Sequence, residues 1–139
     1  MIKQLTNLNW LSILVAFIPY FILGYLWFEV FFKKQYYIAL GKDLPTTPQK
    51  PAPIFIVGPM ITTLVTVIAS AILIYILDLQ RYNQVLGYSL FLGLGFLVSN
   101  TINIAINPNM PKPLYYGFLV GIYHLIGFTI SNIIILGLK

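Results

Sequence analysis

One histidine, three carboxylates and no cysteine are the groups with which this chain could do acid–base, covalent or metal chemistry. His124 stands among glycines inside an apolar run, Gly117 to Ser131. Imidazole titrates near neutrality, so a histidine there could relay a proton, contact a ligand or serve as an axial metal ligand. A single imidazole with no thiolate supplies one ligand per chain, so a metal or haem would have to sit between subunits. The carboxylates are Glu29, Asp43 and Asp78. The two aspartates fall in links at opposite ends of apolar runs and cannot act as a catalytic pair. Glu29 precedes Lys33 by four residues, the favourable order for a helical ion pair, here placed at a membrane interface. No catalytic set, metal site or cofactor site emerges, and the chain is expected not to be an enzyme and to need no cofactor.

The elements that must carry these residues follow from composition. With 59% hydrophobic and 8% charged residues in 139, the chain has more apolar surface than a soluble core of its size can hide. A bilayer helix needs about 20 predominantly apolar residues. Four runs meet that length, near 8–32, 54–77, 85–106 and 114–138, so the expected fold is all-α. It is a polytopic membrane protein, a four-transmembrane-helix bundle forming a single domain over 1–139. The first run exceeds a signal-peptide core and no small-x-small site follows it, so it reads as retained. Asn9, Trp10 and Trp27 mark its interfaces, and Pro19 should bend it. Lys33 to Asp43 reads as an interfacial helical extension with Tyr36 and Tyr37 at headgroup level. A stiff proline-rich connector, about 42–53, holds Pro45, Pro48, Pro51 and Pro53.

In the second run Thr62, Thr66, Ala69, Ser70 and Leu73 share a small, hydroxyl-bearing face suited to close packing. In the third, Ser89, Gly93, Phe96, Asn100, Asn103 and Asn107 fall at helical spacing as one stripe. The fourth carries Gly117, Gly121, His124, Phe128 and Ser131 along one side. A proline-bounded turn, Asn107 to Pro113, forces the third and fourth runs to lie antiparallel. Gly93, Gly117 and Gly121 are read as helix-packing glycines. With the turn centred near Met110, Asn100 and His124 lean toward one another and Asn103 faces the glycine pair. Two uses of this contact stay open: a buried hydrogen bond that fixes register, or a polar path through Asn100, Asn103 and His124.

The eight basic residues flank runs, as in membrane proteins, and form no nucleic-acid footprint. Lys33, Lys34, Lys42, Lys50 and Lys112 lie on one side, Lys3, Arg81 and Lys139 on the other. The positive-inside rule then puts the connector in the cytoplasm and both termini outside. Expected partners are the lipid bilayer and a second copy or a larger membrane protein, with no nucleic acid. The function that fits is a structural or assembly subunit acting through helix packing; the alternative is a small oligomeric channel or carrier.

Several short motifs also resemble a known family. Asn9-Trp10-Leu11-Ser12-Ile13-Leu14-Val15-Ala16 followed by Gly24-Tyr25-Leu26-Trp27-Phe28, then Ala39-Leu40-Gly41, and finally Gly121-Ile122-Tyr123-His124-Leu125-Ile126-Gly127, are similar to the bacterial domain of unknown function 1761 family. That family tends to have Ser-Pro where this chain has Glu29-Val30. The resemblance implies a small four-helix protein of a bacterial plasma membrane and brings no established activity.

Overall fold

A computed structural model describes residues 6–47 and 50–139. Lys3, counted in the charge balance, and Pro48, one of the connector prolines, lie outside the described residues. Four helices are long and apolar enough to cross a membrane: α1 (Trp10–Phe31), α3 (Ile54–Ile76), α4 (Tyr82–Ala105) and α5 (Pro113–Gly137). A short helix, α2 (Lys33–Ala39), follows α1. Among the described residues there are no strands. These spans begin and end within three residues of the apolar runs, because hydropathy and length set them directly.

The ends are defined by specific residues. Asn9 caps α1: its Oδ1 accepts from the amides of Leu11 and Ser12, and its Nδ2 donates to the Leu138 carbonyl at 2.7 Å. One side chain thus closes the start of α1 and ties it to the end of α5, where a last-turn carbonyl lacks a helical partner. Pro113 opens α5, where its missing N–H costs nothing. Gly41 ends the α2 segment at φ +64°, and a Cβ there would lie 2.8 Å from Pro111. Glycine is required twice over at this point, by the backbone conformation and by the close approach of the α4–α5 turn.

The fourth span is the axis. It packs against α1, α3 and α4, and 44% of its apolar window is buried, against 22%, 22% and 17% in α1, α3 and α4. Gly117 and Gly121 make one of these approaches close: a Cβ on Gly117 would lie 3.0 Å from the Ile102 backbone, and one on Gly121 would lie 3.1 Å from Val98. Gly127 serves α1 in the same way, since a Cβ there would run into the ring of Tyr20. The core between them is Ile13, Ala16, Tyr20, Val67, Ala71, Ile74, Tyr123, Phe128 and Ile135. On α3 the buried row is Thr63, Val67, Ser70, Ala71 and Ile74. This corrects the expected packing face, which shares Ser70 alone with it. Thr62 and Thr66 return their hydroxyls to the carbonyls of Gly58 and Thr62, a self-contained use that lets them turn toward lipid.

Two spans depart from regular α geometry. Leu26–Phe31 and Gly93–Val98 are π-helical turns, in which the backbone bond spans five residues instead of four. In α4 this resets the inward face. Its buried residues are Val85, Ser89, Gly93, Val98 and Ala105, with a five-residue step across the π turn.

Candidate functional site

The π turn decides where the third span's amides go. The stripe from Ser89 through Gly93 to Asn100 and Asn103 assumes a continuous α-helix. Because the turn holds an additional residue, Val98 and Ile102 take the positions facing Gly121 and Gly117, and Asn100 and Asn103 rotate outward. Both asparagines are exposed. The expected Asn100–His124 contact and the expected packing of Asn103 on the glycine pair are therefore not formed. Gly93, on the near side of the turn, does face α5, with Leu125 occupying the space its side chain would need.

His124 is held by α1 instead. Its Nδ1 and the Tyr20 hydroxyl share a hydrogen bond of 2.9 Å, and that hydroxyl also lies 3.3 Å from the His124 carbonyl. The hydroxyl has one proton, so it donates to one of these acceptors; when it donates to the carbonyl, Nδ1–H donates to the tyrosine oxygen. Tyr20 is 1% exposed and sits in an aromatic cluster with Tyr123 and, through it, Trp27 and Phe28. Trp27 turns inward and donates its Nε1–H to the Leu119 carbonyl at 3.1 Å.

A second polar centre, not singled out by the sequence, is Asn132. Its amide is fully buried, accepts from Ser70 Oγ at 2.6 Å and donates to Ser89 Oγ at 2.9 Å. Ser70 Oγ is also 3.0 Å from the Tyr88 hydroxyl. One α5 side chain thereby joins α3 to α4. Next to it, Ser131 donates to the Ala16 carbonyl of α1 at 2.9 Å. Among the described residues no buried side-chain polar atom lacks a partner. The signal for Asn132 was available in its type, since an amide deep in an apolar run must be bonded to something.

The outward face of α4 is built differently. Gly95, Phe96, Leu97, Ser99, Asn100 and Asn103 line one open groove. Asn100 and Asn103 make no hydrogen bond among the described residues, whereas the other amides of the spans, Asn83, Gln84 and Asn132, are all bonded. A 24-residue helix is about 36 Å long against a hydrocarbon core of about 30 Å. Centred in that core, it puts Asn103 at the boundary and Asn100 about 5 Å inside. Helical side chains lean toward the N-terminus, which for α4 is toward the bilayer centre, so Asn100 leans away from the nearest water.

Charges gather at the ends of the spans. Glu29 and Lys33 pair at 2.9 Å, and the carboxylate, by hydrogen bond and charge, holds the Lys33 ammonium above the usual lysine range. At the other end Lys139 lies 3.5 Å from Asp78, and hydrogen bonds from Gln80 and then Lys139 hold Asp78 below the usual carboxylate range. Burial of Tyr36 against α5, with Tyr116 beside it, pushes its hydroxyl up to about 12. Among the described residues no group of three His, Cys, Asp or Glu side chains could hold a metal ion.

The family model described as "Protein of unknown function (DUF1761)" matches residues 11–136. The chain belongs to the DUF1761 family. No curated protein and no solved structure matches it. The DUF1761 match spans everything from the first turn of α1 to the last of α5, so all four spans and both polar centres lie within the family's extent. Membership fits an integral membrane protein and assigns it no activity.

Proposed function

We propose that this DUF1761 protein is an assembly subunit of the membrane, joining another transmembrane protein through the outward face of α4. The observation that carries the reading is the exposed, unpartnered Asn100 amide, which centring α4 in a bilayer sets about one turn inside the hydrocarbon. Removing an amide from water without a new hydrogen bond costs about 2–7 kcal/mol. Lipid tails offer no partner, and the side chain leans toward the bilayer centre. A helix from another chain, bringing its own polar group, removes that cost.

Sealing of the interior favours assembly over transport. Tyr20, His124, Asn132, Ser70, Ser89 and Ser131 are engaged with one another or with backbone carbonyls, and the open groove between α3 and α4 is lined mostly by apolar side chains, among them Leu73, Leu92, Leu97 and Phe128. We place the Lys-rich end, which holds α2 and the α4–α5 turn, in the cytoplasm of a bacterial plasma membrane, on the positive-inside rule. The test is native mass spectrometry of protein released from its own membrane in lipid particles without detergent. Assembly predicts a complex larger than one chain that Asn100→Leu weakens. A uniform monomer, unchanged by that substitution, would overturn the proposal.

A further inference from the structure

The geometry points to a second copy of this chain as the occupant of the α4 face, related by a two-fold axis along the membrane normal. This rests on the assembly reading above and names its partner. Both copies insert with the same orientation, so the axis that relates them must be parallel to the normal. Each residue of α4 then meets its own counterpart at the same depth. Charged side chains do not tolerate that arrangement, because a carboxylate or an ammonium repels its twin. An amide does not: it carries both donor and acceptor, so Asn100 can donate to Asn100 of the second copy and accept from it. The face offers amides and a hydroxyl, and no charged residue lines the groove.

Shape agrees with chemistry. A Cβ on Gly95 would meet nothing within 4 Å, so this glycine gives no room to any part of its own chain. Ser99 follows it by four residues on the same groove. The pair is a small-xxx-small row of the kind that lets two membrane helices approach closely. The comparable pair on α5, Gly117 and Gly121, is already filled by Ile102 and Val98. Thus α4 uses the α5 pair on its inner side and leaves its own pair open on the outer side. The π turn separates the two. It keeps Gly93 inward and turns Gly95, Ser99 and Asn100 outward together.

The chain has no cysteine, so single cysteines report proximity without a background to remove. Ser99→Cys is compared with Val65→Cys and Phe118→Cys, two exposed positions elsewhere on the spans. Each is oxidised with copper phenanthroline in native membranes. A disulfide requires Cα atoms within about 7 Å, so only a close face crosslinks. The expected result is dimer from Ser99→Cys and monomer from the other two. Adding Gly95→Leu should abolish the Ser99→Cys dimer without disturbing the monomer, since the space outside Gly95 is empty. Asn100→Leu should weaken association about tenfold, from the loss of two symmetry-related amide bonds. Dimer from Val65→Cys or Phe118→Cys instead, or a crosslink indifferent to both Gly95→Leu and Asn100→Leu, would overturn the second-copy assignment. Native mass spectrometry showing the chain bound only to a different protein, with Asn100→Leu releasing it, overturns this inference and leaves the assembly reading standing. A monomer by both methods removes both.

Discussion

Replacing Asn132 tests the internal architecture most sharply. Asn132→Leu keeps the branching and heavy-atom count of the side chain, exchanges its oxygen and amino group for bulkier methyl groups, and removes the acceptor for Ser70 and the donor to Ser89. Hydrogen bonds between membrane helices average about 0.6 kcal/mol and reach about 1.7, so two of them give about 1–3 kcal/mol. The lower half of that range is expected, because Ser89 can turn to a carbonyl of its own helix and Ser70 keeps the Tyr88 hydroxyl. Asn132→Ala adds an unfilled space between α3, α4 and α5, raising the loss to about 2–4 kcal/mol. The assay is reversible unfolding by steric trapping in bicelles, run as a double-mutant cycle with Ser89→Ala. A coupling energy of about 0.5 kcal/mol or more is predicted. Asn132→Leu as stable as wild type, with no coupling to Ser89, would refute the view that this amide fastens three spans.

Further predictions follow from the same contacts. Tyr20→Phe removes the hydroxyl shared with His124 and should cost about 0.6–1.7 kcal/mol in the same unfolding assay. Gly127→Ala drives a methyl group into the Tyr20 ring and should cost about 1–3 kcal/mol or more, while Gly95→Ala should change monomer stability by less than about 0.5 kcal/mol. Tyr36 binds its proton more tightly when folded, so its contribution to stability is complete below the ordinary tyrosine value. That contribution is lost as pH rises toward about 12. Tyrosinate absorbance of the wild type minus that of Tyr36→Phe should show the late titration, and an ordinary one would contradict the packing of α2 on α5. Liposomes containing the protein should pass protons no faster than empty ones, and His124→Leu should leave that rate unchanged.

The four spans were legible in the sequence because one physical quantity, apolar length, determines them. So was the close approach of α5 at Gly117 and Gly121, since two glycines four apart on an apolar helix have few other uses. The amide stripe was not, because helical periodicity presumes a constant residue count per turn and the π turn at Gly93–Val98 changes it. The alternative row Val85, Ser89, Gly93, Val98, Ala105 can be picked out only by allowing that five-residue step. Helical spacing pairs His124 with an amide of the third span, whereas its partner in the fold is Tyr20, one of the aromatic residues of α1. Tyr20 stands at the middle of the first run, a depth at which its hydroxyl needs a partner, but nothing local names His124 as that partner; its ring is buried because Gly127 leaves it a place. Asn132 is the opposite case: its type alone demands a partner inside an apolar run, although no helical stripe of polar residues marks it.

Single-molecule photobleaching in lipid bilayers tests the pairing of two copies through α4 directly. The wild type and an Asn100→Ala, Asn103→Ala double variant carry one fluorophore each and are diluted over a range of protein-to-lipid ratios. The face of α4 predicts two-step bleaching for the wild type at densities where the double variant bleaches in one step. Identical step distributions for the two proteins at every density would contradict it.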